Sequence, residues 1–380
     1  MSYDLRPRPG QPQQPPAPQN GAATFDSEWS LPGRAPVPSR GLQNGGNYCY
    51  LNSVLVALMH CAVFVNWLAS HAVGCPTLSC IACSINKLAV AYWRADAGEN
   101  EIDNALCHVR SMFRLASWAT VNGVQREMFL VDRQQDAEEF FSRLVEYMES
   151  QLPWKPSSDL GTRLNGIPTG RPSSLARILR SEAVFGTATV NGVTCSLAKC
   201  SHHSDRDQIR TFRAPPKILV VQLRRFQGGE GIWEKNTVPI DFPSTLDLSP
   251  FAENNERVLY HLKSVVHHQG SLRAGHYISY GLGPRRSWNQ VNDHRSRRST
   301  FKEASSNNDD NGFTPYLLFY QRHEHLRRQP VAETIAAAGP GRKRVFDVMN
   351  DQLDDAERQL KRNRKAKVEE RKERQALSRK

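Results

Sequence analysis

A cysteine in a glycine-rich loop, a histidine at the start of a later strand and a carboxamide beyond it are the residues that could do covalent chemistry. Cys49 closes the run Gly41-Leu42-Gln43-Asn44-Gly45-Gly46-Asn47-Tyr48 and precedes Tyr50-Leu51-Asn52-Ser53. The glycines imply a tight loop. Leu51, Leu55, Leu58 and Ala62 recur at helical spacing and predict a helix that begins close to Cys49. A thiol at a helix start feels the positive end of the macrodipole, which favours the thiolate. The free amides of that first turn can donate to an oxyanion. Cys61 and Cys107 lack this setting and read as packing.

A cysteine nucleophile needs a base close by. Of the 12 histidines, His276 is the best placed, because it opens a strand after a loop containing Gly270 and Gly275. His267 and His268 read as loop residues near the cleft rim, not as reacting groups. Asn292-Asp293 reads either as part of a site or as a turn, since both residue types favour turns. Asn44, just before Gly45-Gly46, has the same two readings.

These groups must be carried by elements of two kinds. After Gln134, the stripe Ala137, Phe140, Leu144 and Met148 predicts a second helix. Later the period shortens, and Ile218–Phe226, Val258–Val266, His276–Gly281 and Tyr316–Arg322 read as strands, several apolar enough to be buried. Helices first and strands afterwards predict an α+β fold, a helical lobe against a sheet with the cleft between them.

Composition bounds the rest. Nine of the 23 prolines fall in residues 1–40, which predicts an extended, solvated tail. The net charge is +12, and residues 341–380 hold 14 Lys and Arg against 8 Asp and Glu. Half of the excess therefore lies in the last forty residues, and the remainder gives no reason to expect a nucleic-acid-binding domain. Residues 323–340 read as a linker. Val345, Met349, Leu353, Ala356 and Leu360 mark one apolar helical stripe beyond it. The basic runs Arg342-Lys343-Arg344 and Lys361–Lys367 suit nuclear import, a nucleic-acid contact or a plain solvated helix. Nuclear residence is the favoured expectation, with the cytoplasm as the alternative. The eight cysteines lack the spacing of a disulfide scaffold, and no apolar run is long enough to span a bilayer, so reduced thiols and no membrane are expected.

Several segments together resemble a known family. Gly41–Ser53 resembles the cysteine box of the ubiquitin-specific proteases, papain-like cysteine deubiquitinases. Gln134-Gln135-Asp136-Ala137-Glu138-Glu139-Phe140 resembles their glutamine-aspartate motif. Pro215–Leu219 through Leu223-Arg224-Arg225-Phe226 resembles a central strand signature. His268-Gln269-Gly270 with Gly275-His276-Tyr277-Ile278-Ser279-Tyr280 resembles the histidine box. Trp288–Asp293 and Tyr316–Tyr320 complete the set. Six landmarks in family order define a catalytic domain over 41–322, and both tails lie outside it. The resemblance implies a papain-like fold with a helical thumb, a β-sheet palm and reduced fingers. It also implies hydrolysis of the bond after the C-terminal glycine of ubiquitin, without a cofactor. Cys49 would be the nucleophile, His276 its base and Asn292 the residue that orients it. Asp293 would support them, and Asn44 would supply an oxyanion-stabilising amide. Gln135, Asp136, Glu139 and Tyr277 are the implied substrate contacts.

The chain departs from the family pattern in places. Many members carry zinc-bearing fingers built on two CxxC pairs, but four residues separate Cys195 from Cys200 and no second pair follows. Shortened, metal-free fingers are expected, a site using Cys195, Cys200 and His202 or His203 being the weaker reading. Cys80 and Cys83 form a CxxC near Cys75, read as a structural helix pair because no second cysteine pair is close. Tyr48 stands where a small residue is common, and Val56 where Gln is common. Reduced fingers keep two alternatives open, an inactive ubiquitin-binding scaffold and a protease for a ubiquitin-like modifier.

Overall fold

The computed structural model describes Trp29 and residues 38–323, except 76–79, 117, 122–123, 128–133, 152–163, 167–172, 182–183, 186–187, 195–202, 209–210, 212–214, 230–231, 254–255, 272–273 and 308–311. The Pro-rich leader, the Cys195–Cys200 segment and the basic tail of the sequence reading lie outside the described residues.

Five helices come first: α1 (Cys49–Met59), α2 (Ala62–Gly74), α3 (Ile81–Trp93), α4 (Glu99–Ala116) and α5 (Ala137–Gln151). All eleven residues of α1 are buried. The expected stripe is thus a helix enclosed on every side, and it ends at Met59, so Ala62 opens α2 instead. The α5 stripe is as expected, with Ala137, Phe140, Leu144 and Met148 at 0–1% exposure. Among the described residues no single helix is long and apolar enough to cross a membrane.

The main sheet has eight strands: β1 (Leu164–Gly166), β2 (Ile218–Leu223), β3 (Thr245–Asp247), β4 (Leu259–Gly270), β5 (Gly275–Leu282), β6 (Trp288–Asn292), β7 (Arg295–Ser299) and β8 (Thr314–Arg322). Their order is β7-β6-β5-β4-β8-β2-β1, with β3 also paired to β4. Neighbours are antiparallel except β1 and β2. Both faces are covered. Ile218, Val220, Leu317 and Phe319 join the core that contains the helices. Leu219, Val221, Leu318 and Tyr320 face a second core with Leu175, Ile240 and Phe242. Burial of alternate residues on opposite faces explains the continuous apolar runs of these strands.

Two expectations about the strands need correction. His267 and His268 are not loop residues: β4 runs on to Gly270, and both are 1% exposed. His268 packs on Phe226 and Tyr277, with ring centres 5.2 and 4.6 Å away. Burial drives its pKa down to about 3, so it stays neutral. The hairpin of β6 and β7 is not signalled by the sequence, since β7 consists of three arginines and two serines without an apolar residue.

The sheet is fastened to α1 through polar bonds. Ser264 Oγ on β4 donates to Ala57 O, and Ser279 Oγ on β5 donates to Ser53 O, each at 2.8 Å. The nucleophile helix is therefore registered directly against the strand that carries His276.

Candidate active site

Cys49 is the first residue of α1 and is 3% exposed. His276 is the second residue of β5, Asn292 the last of β6, and Asp293 stands in the turn to β7 with a φ of 49°. The turn reading holds for Asp293, while Asn292 ends its strand. His276 Nε2 lies 2.8 Å from Asn292 Oδ1. With Nε2 taken, Nδ1 is left for the thiol, and Cys49 is the strongest influence on the protonation of the ring. The carboxamide, unlike a carboxylate, fixes the ring without adding charge.

Cys49 raises the His276 pKa most; burial opposes it, while Asn292 and the Asp293 charge add to the rise, to about 9. An imidazolium beside the sulfur, with the α1 dipole behind it, meets negative charge on Sγ. The protonated ring persists below the raised pKa and is lost above it. Hydrolysis should therefore fall as pH rises through about 9. Asn292→Ala, which removes one of the raising contacts, should move that alkaline limb to lower pH in a kcat/KM profile.

Asp293 ties the two halves of the cleft. Its Oδ2 accepts from Asn44 Nδ2 at 3.0 Å and its Oδ1 from Asn52 Nδ2 at 3.2 Å. Its carboxylate is 3.9 Å from His276 Nε2, outside hydrogen-bond reach, so Asn292 is the direct partner. Asn44 Oδ1 accepts the Tyr48 amide at 2.9 Å. That leaves the second Nδ2 hydrogen of Asn44 as the candidate oxyanion donor. Leu42 N donates to Asp293 O at 2.7 Å. Gly41 permits this approach, since a Cβ there would lie 2.0 Å from His294 O.

Arg110 and Asn52 belong to the same assembly and were missed in the sequence. Arg110 on α4 donates to Asn52 Oδ1 at 2.9 Å and to Gln43 O. Its guanidinium sits 4.2 Å from the Tyr48 ring centre, a cation–π contact. The unusual Tyr48 therefore holds Arg110 against the loop. Asn52 had one available signal: a polar residue one turn beyond Cys49 on a buried helix.

The implied substrate contacts separate into two groups. Asp136 Oδ1 accepts the amides of Glu138 and Glu139 at 2.8 and 3.1 Å, capping α5. Its Oδ2 accepts the hydroxyls of Tyr316 and Tyr277 at 2.7 and 3.2 Å. Its lone pairs are thus spent on architecture. Tyr277 is 4% exposed with its hydroxyl on Asp136, so it is a packing residue too. Gln135 is half-buried beside the cap, and its neighbour Gln134 makes the tether to the histidine strand, with Oε1 accepting Gly275 N. Gly275 is needed there, because a Cβ would meet His268 Nε2 at 2.1 Å. Glu139 differs. It is half-buried, and its pKa is raised by burial and then by Asp136, with the Arg143 charge opposing; Arg143 itself is ion-paired to Glu146.

The profile described as "Ubiquitin carboxyl-terminal hydrolase" matches residues 40–320. The chain is similar to ubiquitin carboxyl-terminal hydrolase 15 of Arabidopsis thaliana, 27% identical over 77% of this chain and 35% of that protein. It is also similar to ubiquitin carboxyl-terminal hydrolase 36 of Drosophila melanogaster, 25% identical over 77% and 30% respectively. It spans about a third of the length of these relatives. Among solved structures, the SAGA Ubp8/Sgf11/Sus1/Sgf73 DUB module bound to ubiquitin aldehyde matches with a TM-score of 0.59, 19% identity, and cover of 77% of this chain and 72% of that one. A structure of the module bound to monoubiquitin gives 0.58 and 17%, with 78% and 72% covered. At those identities the likeness speaks for the α+β fold. The match over residues 40–320, most of the chain, places it in the ubiquitin carboxyl-terminal hydrolase family.

Proposed function

We propose that the chain is a thiol-dependent deubiquitinase that hydrolyses the bond after the C-terminal glycine of ubiquitin. The observation that carries this reading is the His276 ring, held by Asn292 Oδ1 at 2.8 Å and influenced most strongly by Cys49. Cys49 Sγ attacks the glycine carbonyl carbon, and the resulting oxyanion meets Asn44 and the first-turn amides of α1. His276 gives its proton to the departing amine, leaving a thioester on Cys49. The neutral ring then takes a proton from water, which attacks the thioester and releases the carboxylate.

The test is a ubiquitin probe with an electrophile at its C-terminus, offered to the wild type, Cys49→Ala and His276→Ala. An adduct that needs Cys49 and weakens without His276 supports the reading. No adduct with folded wild type, alongside measurable ubiquitin binding, would replace it with the scaffold reading. Preference for a ubiquitin-like modifier would appear in side-by-side hydrolysis.

Glu139 gives the reading its substrate contact. A half-buried carboxylate whose nearby Arg143 is ion-paired to Glu146 suits the basic C-terminal tail of ubiquitin. Glu139→Gln should raise KM about tenfold with kcat nearly unchanged, the loss of one charge-assisted bond. The basic residues of 341–380 support nuclear residence in the same proposal. Deleting them should shift a tagged protein toward the cytoplasm, and an unchanged distribution would end that part of it.

A further inference from the structure

A second cluster of reactive side chains lies on elements that supply none of the groups around Cys49. His71 sits in the last turn of α2, and Cys75 is the residue that ends that helix. Cys80 is the residue before α3, and Cys83 is on its first turn. One ligand atom from each of the four lies within 4.8 Å of the other three. His71 Nε2 is 3.2 Å from Cys80 Sγ. The His71 ring is stacked on Trp67, with centres 5.7 Å apart and planes 20° from parallel, so its orientation is set. All three cysteines are unbridged.

The sequence reading of Cys80 and Cys83 as a helix pair sought a second pair among cysteines alone. The fold brings a histidine and a cysteine to them instead, His71 in the last turn of α2 and Cys75 at its end. The spacing of Cys75 and Cys80, with four residues between, falls within the usual range for zinc ligands. Three thiols and an imidazole are also a donor set that selects zinc over hard cations such as calcium or magnesium.

We propose that His71, Cys75, Cys80 and Cys83 bind one Zn²⁺ that clamps the end of α2 to the start of α3. A tetrahedral ion with zinc–sulfur bonds of about 2.3 Å requires ligand–ligand separations of about 3.8 Å. The cluster reaches that by contracting about 1 Å at its widest edge. Binding displaces three thiol protons to solvent and leaves a neutral imidazole as the fourth donor. All four positions belong to the protein, so no water or substrate is activated and the site is structural. Cys80 is buried among the helices of the main core and its three companions are half-buried, so the ion would fix the packing of α3 against α2.

The test is metal analysis of the full-length chain after purification under reducing conditions without metal resin or chelator. The expected result is about one zinc per chain, kept in Cys49→Ala and in the Cys195→Ser/Cys200→Ser double variant, and lost in Cys80→Ser and Cys83→Ser. Stripping the ion should lower the melting temperature. Should the Cys80 and Cys83 variants fold poorly, the wild type substituted with Co²⁺ decides. X-ray absorption showing three sulfurs and one nitrogen in tetrahedral geometry supports the site, and any other ligand set overturns it. Folded, reduced wild type that takes up no zinc, or zinc that departs with Cys195 and Cys200 instead, also overturns it. Neither measurement depends on deubiquitinase activity.

Discussion

His276→Ala should lower kcat for a ubiquitin C-terminal amide by about 10⁴-fold, the upper end of what a positioned acid–base group contributes. The same ring serves three steps: it partners the sulfur, protonates the leaving amine and draws a proton from water. Its loss also removes the positive charge beside Sγ. That makes the pH dependence diagnostic. In the wild type the rate should fall as His276 loses its proton near 9. In the variant no imidazolium stands beside the thiol, and hydroxide must deprotonate it unaided. The variant's residual rate should therefore climb over the pH range where the wild type declines, and the gap between them should narrow. A variant whose deficit stays constant up to pH 10 would mean that His276 supports the fold of the cleft and does not exchange protons with Cys49. Circular dichroism of both proteins, matched at each pH, separates the two.

The parts legible in the sequence are those governed by local periodicity or by residue type. The α5 stripe announces itself by its helical period, and β2 and β8 by short continuous apolar runs. Cys49 and His276 stand out because few residues can act as nucleophile and base, and each follows a glycine-rich loop. The Asn44–Asp293–Asn52 assembly is different. Its members are 249 and 241 residues apart in sequence, and no local pattern encodes which carboxylate will meet which amide. Arg110 is just one basic residue on an amphipathic helix until the fold brings Tyr48 beneath it. Asp136 shows a misread signal. An Asp directly before Ala-Glu-Glu and an apolar run is an N-cap signature, and the cap together with two buried tyrosines leaves little of the carboxylate for substrate. His267 and His268 mislead in the opposite sense, since polar residues at the end of β4 look like a loop. They are buried because His267 finds Ala304 O at 2.9 Å and His268 fills the space that Gly275 leaves open.

Asp293→Ala should cost about 10²-fold in kcat while KM changes little, even though Asp293 makes no direct hydrogen bond to His276. Its carboxylate orients Asn44, and an oxyanion donor is worth about 2.7–4 kcal/mol only where it is aimed in advance at the developing charge. Without the anchor, the Asn44 amide keeps its bond to the Tyr48 N–H but loses the constraint on Nδ2. Donor strength is unchanged and preorganisation is lost, which affects the transition state and spares the ground state. Asn44→Ala should cause a loss of about 10²–10³-fold on the same grounds. The two effects share one pathway, so they should not add: the double variant should be hardly slower than Asn44→Ala alone. Full additivity would show that Asp293 acts through its charge on His276 instead. In that case Asp293→Asn would be as slow as Asp293→Ala, whereas the anchoring role predicts that Asn, with one carbonyl oxygen left to accept from Asn44, restores most of the rate.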